Sequence, residues 1–383
     1  MLDVMLALVR YEILGQDIPP SVGEAISPER LASLYKLSSR HDVAHIASEA
    51  LRELNVIGEN DEHGFTKQRN LALCRYTQMQ YEYDRIIGVM ERQRIPYMPL
   101  KGAIIRQYYP KPWMRTSCDI DILVKAEDLE GAKNGLILEL GYNHLGDYTS
   151  HDITLASPSG VRLELHHSLC DNTSDYGAAV LSDIWQKTVI KKGTEFCHIM
   201  TNEVFYFYHI AHMARHFSLG GCGVRSVIDL WILNSSLDLN KNDCDFLLES
   251  CGLLKFAEAM ENLSRVWLDG EKSEDYISEI EEYIIKGGVY GNAENRIKVQ
   301  QTKAGGHTKY LWSRIFISTK ELKRKYPSLE KKPYLIPIYH IARWFRPIFN
   351  SKSKKKTLKD IERGRVAKQN EEKTRELLKV LGL

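Results

Sequence analysis

The run Cys118-Asp119-Ile120-Asp121-Ile122-Leu123-Val124 constrains this chain more than any other stretch. Apolar and acidic residues alternate with a period of two, and Ile and Val dominate, which predicts a β-strand. Residues i and i+2 of a strand leave the same face, roughly 6.6 Å apart. Asp119 and Asp121 therefore share one face of a rigid element, while Ile120, Ile122 and Val124 take the buried side. Two carboxylates so placed repel each other unless a cation stands between them. A divalent metal site is the expectation, and a metal held by carboxylates is a common grip on phosphates. The other Asp-x-Asp of the chain, Asp243-Cys244-Asp245, lies in a polar stretch and reads as a solvated turn or helix N-cap.

With 383 residues the chain can bury a large core and divide into two or three lobes. The first 94 residues read as helical, with apolar residues at three- and four-residue spacing over Met1–Leu14, Ser27–Leu37, Val43–Leu54 and Thr66–Arg94. The texture changes at Ile95-Pro96. Tyr97–Leu100 reads as a short strand, Ala103–Tyr109 as a helix ended by Pro110 and Pro112, and Ala126–Leu140 as an amphipathic helix stopped by Gly141. Asp152–Ala156 and Val161–His166 flank Pro158-Ser159-Gly160 and predict a hairpin. In its second strand Val161, Leu163 and Leu165 share one face, and Arg162, Glu164 and His166 the other. From Leu181 to Gly287 the pattern is helical again. The expected division is thus a helical region 1–94, a core 95–180, a helical domain 181–306 with a polar linker at its end, and an aromatic and basic helical extension 307–383.

Charge and cysteine usage narrow the setting. Residues 351–383 hold eleven Lys/Arg against five Asp/Glu, so that tail is basic and the rest of the chain mildly acidic. Seven scattered cysteines without a Cys-x-x-Cys pair argue against a disulfide framework or zinc ribbon and for the cytoplasm. Met1–Arg10 is apolar but carries Asp3, lacks a basic start and does not read as a signal peptide. No apolar run reaches membrane-spanning length. The acidic body speaks against nucleic acid as a partner. The Tyr334–Phe349 segment with its following lysines could touch an anionic membrane surface, though packing against the body explains it equally well.

Three segments together could do chemistry. Lys101-Gly102 lies between a strand and a helix, where backbone N–H groups can meet a phosphate and glycine lets it approach. Asp119 and Asp121 would hold Mg²⁺ against that phosphate. Glu164 supplies a third carboxylate, either for a second metal or to take a proton from an attacking hydroxyl. His166 shares its face. Arg115, just before the acidic strand, could neutralise a triphosphate. Elsewhere, His209, His212 and His216 share a helical face, but their aromatic surroundings favour packing over zinc; Arg225 and Asp229, four apart, read as an intrahelical ion pair.

Leu100-Lys101-Gly102, Arg115, Asp119-Ile120-Asp121-Ile122-Leu123-Val124 and Glu164-Leu165-His166 resemble an uncharacterised bacterial nucleotidyltransferase family of the DNA-polymerase-β-like nucleotidyltransferase superfamily. His212, His216, Arg225 and Asp229, with Phe316, Tyr326-Pro327 and Pro337 to Arg343, extend the likeness over most of the chain. The resemblance implies an α+β fold, with a small mixed β-sheet core flanked by large N- and C-terminal helical regions. It implies Mg²⁺- or Mn²⁺-dependent transfer of a nucleoside monophosphate from an NTP such as ATP to a hydroxyl acceptor, which could be a small molecule, a sugar, a peptide or a protein. On that reading Asp119, Asp121 and Glu164 are the metal ligands and catalytic acids, and Lys101, Gly102, Arg115 and His166 meet the nucleotide. The superfamily usually has Ser or Gly after the phosphate-loop glycine, where this chain has Ala103. That difference leaves a second reading open, a catalytically degenerate module that binds a nucleotide or a protein partner.

Overall fold

The computed structural model describes residues 1–24, 26–146, 149–170, 176–272, 275–288, 333–337, 339 and 371–383. The expected linker 288–306 after its first residue, most of the aromatic and basic segment, and residues 351–370 of the tail lie outside them. The chain divides into two units, Met1–Arg215 with Gly223–Glu281, and His216–Cys222 with Glu282–Leu383. The first unit carries the sheet and every residue of the candidate site. Among the described residues no helix is long and apolar enough to cross a membrane.

The fold is α+β. Five helices come first: α1 (Leu2–Leu14), α2 (Pro20–Glu24), α3 (Pro28–Arg40), α4 (Ala44–Glu53) and α5 (Phe65–Arg92). Pro28 starts α3, since a proline at the first helical position gives up an N–H that has no intrahelical partner anyway. The sheet follows. Strands β1 (Tyr97–Pro99), β2 (Asp119–Val124), β3 (Asn143–Leu145), β4 (Asp152–Ala156) and β5 (Arg162–His166) are ordered β1-β2-β5-β4-β3. β2 pairs with β5 in parallel and every other pairing is antiparallel, so the sheet is mixed. Between β1 and β2 lie a one-turn helix, α6 (Gly102–Ile105), and 3₁₀ turns at Arg106–Tyr108 and Pro112–Met114. The single helix expected over Ala103–Tyr109 is therefore broken. α7 (Leu129–Leu140) connects β2 to β3 and ends at Gly141, whose left-handed φ of 70° a side chain would strain.

The alternation of β2 and β5 sorts the sheet into two faces. Ile120, Ile122 and Val124 of β2, Leu163 and Leu165 of β5, and Ile153 and Leu155 of β4 pack with Met79, Ile86, Val89 and Met90 of α5 and Leu129, Ala132 and Leu136 of α7. Each such side chain contributes roughly 1.5–3 kcal/mol by leaving water. This apolar layer fixes register, because a one-residue slip of either strand would turn its acids into the core. The opposite face carries the polar residues.

Past the sheet come α8 (Ala178–Leu181), a two-stranded ribbon of β6 (Thr188–Ile190) and β7 (His198–Met200), then α9 (Asn202–Phe217), α10 (Val224–Ser236), α11 (Lys241–Ser250), α12 (Leu254–Leu268) and α13 (Asp275–Gly287). The ribbon corrects the expectation of unbroken helix after Leu181. Its strands are three residues long, too short to show a period of two. Beside β7, Tyr97 N–H donates to the Phe196 carbonyl and Tyr97 bridges Cys197, so the ribbon lies along β1. Asp243 and Asp245 sit on α11, whose N-cap Asn240 accepts from the Asn242 and Asp243 amides, in keeping with a capped, solvated helix start.

Candidate active site

Parallel pairing of β2 with β5 puts Asp119 opposite Arg162, Asp121 opposite Glu164 and Leu123 opposite His166. Antiparallel pairing of β4 with β5 then puts Thr154 beside Glu164 and Asp152 beside His166. Period-two alternation thus gathers Asp119, Asp121, Glu164, His166 and Asp152 on the sheet face away from α5 and α7. Because β2 is an inner strand, none of these acids sits on a fraying edge.

Asp121 is the centre of the cluster and is only 6% exposed. Lys101 Nζ donates to its Oδ1 at 2.9 Å, and His166 Nε2 lies 3.0 Å from the same oxygen. His166 Nε2 is also 3.6 Å from Glu164 Oε2. Asp121, Glu164 and His166 each bring a ligand atom within 4.8 Å of the others, a set that could hold a metal ion. Asp119 falls outside that group, two residues earlier on β2 and half-buried.

Electrostatics distinguish the three acids. Burial works against ionisation of Asp121, but the Lys101 ammonium and the His166 contact outweigh it and hold the carboxyl well below the usual range. Asp119 is pushed up by burial and then by the charge of Asp121. Glu164 is pushed up by burial, then by Asp121 and Asp119. Burial alone would discharge Lys101; the charge of Asp121 leads the opposing effects that raise its pKa instead. One acid is thus compensated by the protein and two are not. A divalent cation would relieve both, and the donors are the hard carboxylate oxygens that Mg²⁺ and Mn²⁺ take, so the residues fit such an ion.

Lys101 also carries strain. Its φ of 44° with ψ of −115° lies where residues other than glycine are rare, at a cost of about 1–3 kcal/mol. The next residue is glycine for a local reason: a Cβ on Gly102 would stand 3.3 Å from Arg115 Nη1 and 3.4 Å from Ser117 Cβ. Arg106, which the sequence did not single out, ties this turn to the start of β2. Its Nε donates to the Gly102 carbonyl at 2.8 Å and its Nη2 to Ser117 Oγ at 2.7 Å.

Arg115 has a protein partner. The expectation was contact with a triphosphate. In the structure its guanidinium is buried against Asp229, with Nε 3.0 Å from both carboxylate oxygens and Nη2 2.9 Å from Oδ2. The Tyr109 hydroxyl donates to Asp229 Oδ1 at 2.7 Å. The expected Arg225–Asp229 pair within α10 is replaced, because Arg225 reaches back to Asp42. Both partners come from segments far away in sequence, which an i,i+4 rule cannot see. His209, on the histidine face of α9, is buried and its Nε2 lies 3.1 Å from the Ser226 carbonyl, a packing role.

Asp152 and His151 escaped the sequence reading. Asp152 Oδ2 lies 2.9 Å from His151 Nε2 and 4.0 Å from His166 Nδ1. The hairpin around Gly160 held the signal, since its register places Asp152 across from His166. A cavity of about 510 Å³ opens at the start of β2, with Tyr76, Tyr83, Ala103, Arg106, Asp119 and Ile120 among its walls.

Comparison with known proteins gives a family and little else. No curated protein matches the chain. A solved structure of antibiotic-resistance factor ANT(2'')-Ia matches with 12% identity and a TM-score of 0.35, covering 46% of this chain and 91% of that one, a likeness too weak to carry an assignment. The family model described as uncharacterised nucleotidyltransferase matches residues 27–269, which include the whole sheet, the acidic face and the Arg115–Asp229 pair. The chain belongs to that uncharacterised nucleotidyltransferase family.

Proposed function

We propose that this protein is a Mg²⁺- or Mn²⁺-dependent enzyme that transfers a nucleoside monophosphate from an NTP, ATP among them, to a hydroxyl acceptor. The observation that carries the reading is the opposition of Asp121 and Glu164 across β2 and β5, with Asp119 on the same face and two of the three acids uncompensated. Asp119, Asp121 and Glu164 would hold the metal, which when bound neutralises charge on the triphosphate and polarises the phosphorus under attack. Glu164 would either complete the metal site or take the proton from the acceptor hydroxyl. Lys101 would leave Asp121 as the cation arrives and swing its ammonium onto a phosphate oxygen, relaxing the strained turn. His166 holds Asp121 in place through Oδ1. Arg115 would act from behind the site, paired with Asp229. The cavity at the start of β2 offers tyrosine faces and Arg106 to an aromatic group of either substrate.

The Lys101–Asp121 contact favours a second reading. An ammonium already on the central acid is how a degenerate relative would neutralise its site without a metal. The same experiment separates the two. Purified protein is incubated with each NTP and Mg²⁺ or Mn²⁺ while pyrophosphate release and thermal stabilisation are followed. Turnover by the wild type that Asp121→Asn loses is the expected result. Stabilisation by a nucleotide without turnover selects the binding module, and wild type and Asp121→Asn behaving alike in both assays overturns the enzyme.

A further inference from the structure

His166 belongs to two clusters. Its Nε2 faces Asp121 and Glu164, and its Nδ1 faces Asp152, where His151, Asp152 and His166 each bring a ligand atom within 4.8 Å of the others. We infer that His151, Asp152 and His166 form a transition-metal site, separate in chemistry from the carboxylate face and adjoining it through the His166 ring.

The ring's own hydrogen bonding supports this. Asp121, held ionised by Lys101 and His166, can only accept, so the proton 3.0 Å from its Oδ1 belongs to His166 Nε2. That leaves His166 Nδ1 to face Asp152 Oδ2, 4.0 Å away. His166 and Asp152 are only 5% and 7% exposed, so an ion bound between them would be shielded from water.

The distances suit an ion. Ligand atoms about 2.1 Å from a metal stand about 3–3.5 Å apart at octahedral or tetrahedral angles. The separations here are 2.9 Å from His151 Nε2 to Asp152 Oδ2 and 4.0 Å from Asp152 Oδ2 to His166 Nδ1, on either side of that range.

Each donor is also held from behind, as metal ligands are. Thr149 Oγ1 lies 3.0 Å from Asp152 Oδ1, which leaves Oδ2 for the two imidazoles. The same hydroxyl lies 3.3 Å from His151 Nδ1, while Nε2 is the nitrogen that faces Asp152. His166 is held by Asp121 through its other nitrogen.

Two imidazole nitrogens and one carboxylate select Zn²⁺, Co²⁺ or Fe²⁺ over Mg²⁺ and Ca²⁺, which prefer oxygen. Three protein ligands leave a coordination position open. An ion here would lock the His166 ring and, through Nε2–H, the Asp121 carboxylate. The site needs no nucleotide chemistry in order to exist, so its fate and that of the transferase reading are separable.

The test uses the full chain, stripped with a chelator and titrated with Co²⁺ alone. Visible d–d absorption saturating at one equivalent is expected, displaced by Zn²⁺ and untouched by excess Mg²⁺. His151→Ala should weaken Co²⁺ binding by about 100-fold or more, and Thr149→Val by about 10- to 100-fold. Asp119→Asn should leave it unchanged. Far-ultraviolet circular dichroism checks that each variant is folded, and Thr149→Val carries the test should His151→Ala not fold. Absent d–d bands, or His151→Ala and Thr149→Val binding Co²⁺ as tightly as the wild type, would overturn the site. So would binding lost in Glu164→Gln but kept in His151→Ala, which would place the ion on the carboxylate face.

Discussion

Asp229 and Asp121 are both buried aspartates with cationic partners, yet their surroundings differ. Asp229 receives Arg115 on both oxygens and the Tyr109 hydroxyl besides, so its charge is closed off on every side. Asp121 receives Lys101 and His166 on one oxygen, Oδ1, and stands among Asp119 and Glu164, whose pKa values its charge helps to raise. The first arrangement is what buried charge needs in order to be structural. The second keeps surplus negative charge on an inner strand, which costs stability unless a cation arrives, and that surplus is what makes the acidic face the candidate site.

The comparison breaks most readily at Asp229. Asp229→Ala leaves the Arg115 guanidinium buried without its carboxylate and should cost about 3–5 kcal/mol in chemical denaturation. A loss below about 1 kcal/mol would mean the pair is not structural. Asp121→Asn also takes a carboxylate from Lys101, but Asp119 and Glu164 remain nearby for the ammonium, so the stability loss should be smaller than at Asp229 while pyrophosphate release falls by about 10²–10³-fold, or roughly 3–4 kcal/mol of transition-state stabilisation. Asp119→Asn removes an uncompensated charge and should stabilise the metal-free protein by about 1 kcal/mol in a thermal melt. Adding Mg²⁺ should close that gap, because only the wild type gains a full set of ligands. A melt of Asp119→Asn below that of the wild type in chelator would show that the acids are already satisfied.

The smallest effect is in pH. Arg115 holds Asp229 below the ordinary carboxylate range despite its burial. A depressed folded pKa contributes stability that is fully present above the unfolded value, about 4, and is lost as pH falls through the folded one. Asp229→Asn should therefore flatten the stability profile only below about pH 4 and leave its shape at neutral pH unchanged.

The residues show why some of this could be read from sequence. β2 and β5 are five or six residues long and alternate around Asp119, Asp121, Glu164 and His166, so the face these four share followed from periodicity alone. α5 and α7 declared themselves by apolar spacing and, at Gly141, by a helix-stopping glycine. Strand β3, Asn143-His144-Leu145, has neither the length nor the composition to stand out, and the ribbon strands are as short. The partner of Arg115 could not be read for a different reason. Its partner is 114 residues away, and a nearby Arg225 offered a local pairing that tertiary packing overrode. The Asp152–His151 neighbourhood was available from hairpin register, but only once the turn was known to place Asp152 against His166.

The order β1-β2-β5-β4-β3 has one more effect. A sheet edge is an open row of donors and acceptors, ready to recruit a strand from another molecule. On the β1 side that row is met by the Phe196–Cys197 segment, so the margin next to the acids is already taken. The opposite margin is β3, three residues long, with Asn143 and Leu145 open to solvent. Any growth of this sheet by a foreign strand would therefore begin two strands beyond Glu164, and aggregation by that route could proceed while the acidic face stayed open.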